Sequence, residues 1–350
     1  MKSYSEFIKG SRNSIESVCK KYNITNYSIN SDGSIDVDGD VNLSHKNLTR
    51  FPLKFRNVSG NFECYNNQLT NLEGSPQSVG GDFDCYNNQL TTLEGSPQSV
   101  VGGFDCSDNQ LTTLEGSPQS VGGNFYCINN QLTTLEGSPQ SIGVNFNCSD
   151  NQLTTLKGGP KTVGGHFDCS DNQLITLEGG PQSVGRHFYC SNNKLTTLEG
   201  GPRSIGGNFY CLNNQLTTLE GGPKTIGGNF DCRYNQLTTL EGGPQTVGGY
   251  YYCRYNQLVN LNGFPEDFED DISLDNNPVS EIYNLFKDDK CIKWLNEFDV
   301  IQGNNKCIKW LNEFDVIQGN KVVLDRLEEV YHQLGMDIPE NIELTHYEII

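Results

Sequence analysis

Ten cysteines recur at a fixed interval of 21 residues: Cys64, Cys85, Cys106, Cys127, Cys148, Cys169, Cys190, Cys211, Cys232 and Cys253. Thiols in such number could form disulfides, hold a metal or act as nucleophiles, and each use demands a particular geometry. If they share one inward column of parallel strands, neighbours lie about 4.8 Å apart, and pairing them would distort the strand ladder. A buried cysteine otherwise behaves as a small apolar residue. The column reads as reduced core thiols, ahead of partial disulfides or a metal site.

The other reactive residues are sparse. The histidines are His45, His166, His187, His332 and His346. His166 and His187 occupy equivalent places one interval apart, but two histidines without a third ligand make a weak metal site. Cys291 and Cys307 lie in amphipathic stretches with no nearby histidine to serve as base. The run from Asp36 to Asp40 invites a calcium reading, yet Gly39 falls fourth and Asn47 twelfth, where a calcium loop needs glycine sixth and glutamate twelfth. The recurrent Gly-Gly pairs do not precede a helix as a phosphate-binding loop does. No catalytic residue, metal site or cofactor is expected, and the chain reads as a non-enzyme.

The interval itself is the stronger signal. A fixed period of this length marks a solenoid, because a unit so short cannot bury a core alone and must stack on its neighbours. Counting from Asn130, apolar residues stand five before (Phe125), three before (Cys127), two after (Leu132) and five after (Leu135). This spacing, L-x-L-x-x-N-x-L-x-x-L with Phe and Cys in the first two places, resembles the leucine-rich repeat family over about residues 41–282. The resemblance implies a column of asparagines bonding backbone groups where the chain turns: Asn67, Asn88, Asn109, Asn130, Asn151, Asn172, Asn193, Asn214, Asn235, Asn256 and Asn277. A buried amide, with donor and acceptor together, suits that task.

The expected fold is a leucine-rich repeat solenoid with short parallel strands on one face and a turn-like convex side, since Leu-Glu-Gly-Ser-Pro and its Gly-Gly-Pro version leave no room for a helix. Twelve coils are expected, counting two degenerate ends. Residues 1–40 form a small N-terminal cap of helix and hairpin, with Ser31-Asp32-Gly33 as the turn. Residues 283–350 form a helical C-terminal cap, its last helix running from about Val322 to Gln333 and stopping at Gly335. That cap contains a tandem duplication, 290–305 and 306–321, identical at fifteen of sixteen positions. Helical stripes are expected at Ile292, Leu295 and Phe298, and again at Ile308, Leu311 and Phe314. One copy is expected to cap the solenoid while the other is tolerated. Glu266 to Asp271 reads as a solvated acidic loop.

Charge narrows the partners. The chain of 350 residues has a formal charge of −19. Residues 1–59 carry +3, residues 60–263 carry −9 and residues 264–350 carry −13. Nucleic acid demands a basic face, so it is not expected as a partner. No stretch approaches the roughly 20 apolar residues of a membrane span. The start shows no apolar signal region, which favours an intracellular protein.

A solenoid varies most freely in its outward strand residues. Early coils show Glu63, Tyr65, Asp84, Tyr86, Asp105 and Asp108, and middle coils Tyr126, Ile128, Asn147, Asp150, Asp168 and Asp171. Late coils show Tyr189, Tyr210, Leu212, Arg233, Tyr234, Tyr252, Arg254 and Tyr255. Tyrosine and arginine are the residue types that carry binding energy at interfaces, so the late coils are the candidate protein-binding surface. Strand-forming tyrosines that merely suit a sheet surface are the competing account.

The repeat phrasing Asn-Gln-Leu-Thr-Thr-Leu-Glu-Gly-Ser-Pro-Gln-Ser-Val-Gly-Gly-Asn-Phe-Tyr-Cys resembles short-repeat leucine-rich repeat proteins of tailed phages and giant DNA viruses, as do the lead from Tyr22 to Val41 and the tail from Phe314 to Gly319. That resemblance implies a viral protein acting in the cytoplasm of an infected cell. The expected function is a protein-binding scaffold. The alternatives are a structural or virion-associated component, and an effector recruiting host machinery through its C-terminal helices.

Overall fold

A computed structural model of the chain describes residues 4–265, 267–268, 272–286, 311–339 and 341–350. The chain divides into two compact units, Met1–Arg186 and His187–Ile350. Each is built from the same coil, and each is a parallel-strand solenoid of the leucine-rich repeat type.

One coil of the first unit shows how the sequence makes it. Phe125–Tyr126 is a strand paired in parallel with Phe104–Asp105 and Phe146–Asn147. Alternation sends Phe125 and Cys127 inward, where both are fully buried, and leaves Tyr126 half-exposed. Leu132, Leu135 and Ile142 complete the inward set. From Phe62 to Phe167 the phenylalanines of successive coils stack face to face, as Phe62 and Phe83 do at 5.4 Å between centroids. Burying each such side chain contributes roughly 1.5–3 kcal/mol, which one coil realises only against its neighbours.

The far side of the coil is extended between turns, as expected, and its extended residues also pair from coil to coil. Ser141–Ile142 is a second strand, paired in parallel with Ser120–Val121 and Thr162–Val163. The coil therefore carries two rows of two-residue strands, a Phe row and a Ser-Val row. Gly-Gly forms the corner between them, while Leu-Glu-Gly-Ser-Pro makes the return turn. Gly137 has φ +91, and a Cβ there would lie 2.4 Å from the Leu114 carbonyl carbon of the coil before. Only glycine fits that turn.

The first unit has seven Phe-row strands, from Val41–Asn42 to Phe167–Asp168. Its lead is helix α1 (Tyr4–Lys21), followed by an antiparallel hairpin of Tyr27–Ile29 with Ile35–Val37. Asp32 closes the hairpin by accepting the Ser34 backbone N–H and hydroxyl. Ile35–Val37 also pairs with Phe55–Val58, so the hairpin occupies the open edge of the Ser-Val row.

The second unit has five described Phe-row strands, from Phe188–Tyr189 to Ile272–Ser273. Asp267–Phe268, expected in an acidic loop, is a strand beside Thr246–Val247. Helix α2 (Ser280–Asn284) follows the last coil, and helix α3 (Leu324–Leu334) ends at Gly335, φ 66. The first copy of the duplication lies outside the described residues, as does Ile308. Among the described residues of the second copy, Leu311 to Glu313 are helical. Asp315 then adopts φ 50, and Ile317–Gln318 pairs with Lys321–Val322 across a turn containing Gly319, φ 65. Leu311 of the expected stripe is helical and buried and Phe314 packs beside it; the hairpin begins only after left-handed Asp315 has ended the helix. Glu348–Ile349 adds a third strand. Ile282, Leu311, Val316, Val322, Leu327, Val330, Tyr331 and Tyr347 form the core of this end. Tyr347 donates its hydroxyl to Val259 O at 2.8 Å, and Asn312 Nδ2 donates to Leu261 O at 3.1 Å.

Candidate functional site

The outward residues are positioned by two amide ladders. In the first, Asn130 Oδ1 accepts the Leu111 N–H at 3.0 Å, while its Nδ2 donates to Cys106 O and Cys127 O. Each such asparagine thus serves the coil before its own. The first coil shows why it can carry Lys46 instead: Asn67 accepts the Lys46 and Leu48 N–H groups, and no earlier coil needs an asparagine from it. The same bonding runs through the second unit, where Asn235 bonds Leu216 N, Cys211 O and Cys232 O.

The second ladder was not anticipated. Asn61 Oδ1 accepts the Asp82 N–H, Asn145 accepts that of His166, Asn208 that of Asn229, and Asn229 that of Tyr250. His187 takes the same role through Nδ1, bonding Asn208 N at 2.8 Å. That bond commits one ring nitrogen of the histidine considered for metal. Glycine is required beside this ladder, since a Cβ on Gly81 would lie 2.0 Å from Asn61 Oδ1. The recurrence of Asn or Asp one place before the Phe strand was the available signal.

The position just before each ladder asparagine is left-handed. At 21-residue intervals from His45 to Asn276, φ lies between 51 and 59. Asn or Asp fills nine of these twelve places, as expected for residues that tolerate this conformation. Two late exceptions are Tyr234 (φ 56) and Tyr255 (φ 58). They are 48% and 44% exposed, and their rings stack at 4.5 Å and 8°.

The remaining candidates surround this pair. Tyr189, Tyr210 and Tyr252 are half-buried outward strand residues, and Tyr189 stacks on Tyr210 at 5.0 Å. Leu212, Arg233 and Arg254 share the next outward column and are half-buried. Asp231, overlooked among the outward residues, lies in strand register between Tyr210 and Tyr252 and is 1% exposed. It takes the Arg233 guanidinium at 2.9 Å through Nε and 2.6 Å through a terminal nitrogen. Arg233 also lies 5.2 Å over the Tyr252 ring. Arg233 was expected to serve a protein partner; within its own chain it is already paired with a carboxylate.

Elsewhere the first unit presents Glu63, Asp84 and Asp105 in one outward column. Burial, with repulsion from Asp105, Asp82 and Glu63, raises Asp84 to about 6. Tyr65 and Tyr86 stack beside them at 4.5 Å. Burial also pushes the ladder thiols, such as Cys127 and Cys211, well above the ordinary thiol range. Grooves of about 690 and 740 Å³ along the Ser-Val row are lined chiefly by Ser, Val, Gly and Gln, with Asp36 and Asp38 in the first. Among the described residues no group of three or more His, Cys, Asp or Glu could hold a metal ion, and no helix is long and apolar enough to cross a membrane.

No protein-family model and no curated protein matches the chain. Among the solved structures similar to it are two of YopM. YopM from Yersinia enterocolitica WA-314 is 19% identical, with 68% of this chain and 64% of that one covered and a TM-score of 0.41. YopM, described as a leucine-rich effector protein from Yersinia pestis, is 19% identical over 68% of this chain and 66% of that one, with a TM-score of 0.42. The chain spans just under two thirds of the length of either.

Proposed function

We propose that this chain is a non-enzymatic protein-binding scaffold that engages its partner through the outward face of the late coils. The observation carrying this reading is the pair Tyr234 and Tyr255. A bulky residue held left-handed costs on the order of 1–2 kcal/mol, and the repeat offers Asn or Asp at the same place without that cost. Their mutual stacking offsets part of it. Two large aromatic rings nevertheless stand in solvent, where neither serves the core. Tyrosine combines a rigid contact area with a polar tip and is enriched in binding hot spots. On the sequence resemblance above, the scaffold is a viral protein working in the host cytoplasm.

The test begins with affinity purification from infected cells, then reconstitution with the purified partner. Replacing both tyrosines by asparagine should weaken binding by a factor of about thirty or more, as loss of a hot spot of about 2 kcal/mol requires. A matched variant at Asp84, Asp105 and Asp108 should bind normally. Loss of binding in the aspartate variant alone would move the site to the acidic coils. Full binding by both would move it to the C-terminal segment, and recovery of the chain in purified virions would favour the structural role.

A further inference from the structure

We propose that Arg254 anchors a carboxylate of the docked protein, so that the partner segment on the late coils carries a glutamate or aspartate side chain. This rests on the docking surface proposed above and names the chemistry it selects.

Two adjacent coils place arginine at the same position with opposite outcomes. In Asp231-Cys232-Arg233 the strand residue two places earlier is a carboxylate, and it neutralises Arg233 with a fork of hydrogen bonds. In Tyr252-Cys253-Arg254 that residue is tyrosine, which cannot take the role. Arg254 forms no ion pair and no side-chain hydrogen bond among the described residues. Its Nε is buried without a partner, although the side chain as a whole is half-exposed. A buried guanidinium nitrogen without an acceptor is an unmet demand, and a planar bidentate acceptor meets it best. Asp275, next in the same column, is exposed and makes no ion pair with Arg254 among the described residues.

The surroundings select among anions. Tyr255 adjoins Arg254 in the chain and stacks on Tyr234, while the Tyr252 ring is engaged by Arg233. One guanidinium is available, and the exposed Asp275 stands one coil away. A doubly charged phosphate would meet Asp275 with a single cation to offset it; a carboxylate matches the fork one to one. The chain's net charge of −19 does not forbid this, because exposed charges beyond about 8 Å are largely screened at physiological salt.

The test uses the full chain and a phage-displayed library of random linear peptides. The wild type should enrich peptides containing Glu or Asp, and Arg254→Gln should retain the aromatic or aliphatic preferences while losing the acidic one. For a synthetic peptide from the selection, changing its acid to the amide should weaken wild-type binding about tenfold and leave Arg254→Gln binding unchanged, with Arg254→Lys between them. Equal weakening in wild type and Arg254→Gln would overturn the assignment. So would acid-free peptides that still require Tyr234 and Tyr255, or a phosphoserine version binding more tightly than the glutamate one. Failure to select any peptide, or identical selection by the Tyr234→Asn, Tyr255→Asn double variant, would overturn the docking surface together with the anchor.

Discussion

The carboxylate of Glu281 lies 2.7 Å from His346 Nδ1 and accepts the backbone N–H groups of Thr345 and His346, each at 3.0 Å. One side chain on α2 thereby fastens residues more than sixty positions later.

This clasp is sensitive to acid. Burial pushes the Glu281 carboxyl up, but the bonds from His346 and Thr345 outweigh it and leave its pKa below the ordinary 4.5. A depressed carboxyl contributes stability that is present above its unfolded value and lost as pH falls through the folded one. The C-terminal strand should therefore loosen below about pH 4.5, seen as faster proteolysis of residues 341–350. Glu281→Gln should show that loosening at neutral pH, at a cost of about 1 kcal/mol. Equal protease resistance in the variant would count against the clasp.

Asp84 works in the opposite sense. Its folded pKa of about 6 exceeds the reference 3.8, so its favourable contribution is complete below 3.8 and is lost as pH rises through 6. Asp84→Asn should stabilise the chain at pH 7 by about 1 kcal/mol, after allowance for solvent screening, and should do little at pH 4. Chemical denaturation at the two pH values measures this, and added salt should narrow the difference.

Asn130→Ala should cost about 1–3 kcal/mol, since it leaves the buried Leu111 N–H without its acceptor and removes one of the two ladder donors at Cys106 O and at Cys127 O, which keep Asn109 and Asn151. Asn130→Asp keeps the acceptor and loses the donors, and should be nearly as damaging. Denaturant midpoints of the two variants decide it.

Tyr234→Asn and Tyr255→Asn should each raise stability or leave it unchanged, by up to about 1 kcal/mol, because asparagine suits φ 56 and 58 better. Lost binding together with unreduced stability would separate a docking role from a packing role. A melting temperature that falls by several degrees would show that the stacked rings are structural.

Deleting residues 290–305 should leave the end of the second unit intact, because the second copy supplies Leu311, Val316 and the Asn312 bond to Leu261. Deleting 306–321 instead yields the same chain except for Asn in place of Lys before Val322. The lost Lys321–Glu348 pair, 3.9 Å and exposed, is worth little. Both deletions should melt together, whereas removing 284–350 should cause aggregation. A deletion of 290–305 as harmful as that truncation would make both copies structural.

Much of this was legible because the repeat multiplies each signal. Phe125, Cys127, Leu132 and Leu135 declare the inward set by spacing alone. The Ser-Val row was not legible: two-residue strands carry no alternation, and the Gly-Gly after Val121 looks like any turn. In the C-terminal copy, Leu311 and Phe314 fit a helical period, but Asp315 ends it and Gly319 turns the hairpin that follows, and only Gly319 announces a left-handed residue by its type. At the candidate site, tyrosine and arginine enrichment could be counted. The pairing of Asp231 with Arg233 could not, since it depends on one strand residue lying in reach of the next outward column. Nor could identity alone reveal that Tyr234 is left-handed, although the Asn and Asp filling that column in other coils were a usable hint.

The ladder asparagines also give the chain a direction of growth. The Leu111 N–H waits for Asn130, which lies in the coil made after its own, and Cys106 O, already held by Asn109, gains a second donor from it. On a ribosome adding roughly 5–20 residues per second, the next 21 residues take about one to four seconds. During synthesis every finished rung is locked from ahead, and the newest always has polar groups still open to water. That open rung is the vulnerable point of a stalled nascent chain. It closes when Asn277 emerges, accepts Leu258 N and supplies its own donor to Leu274 O.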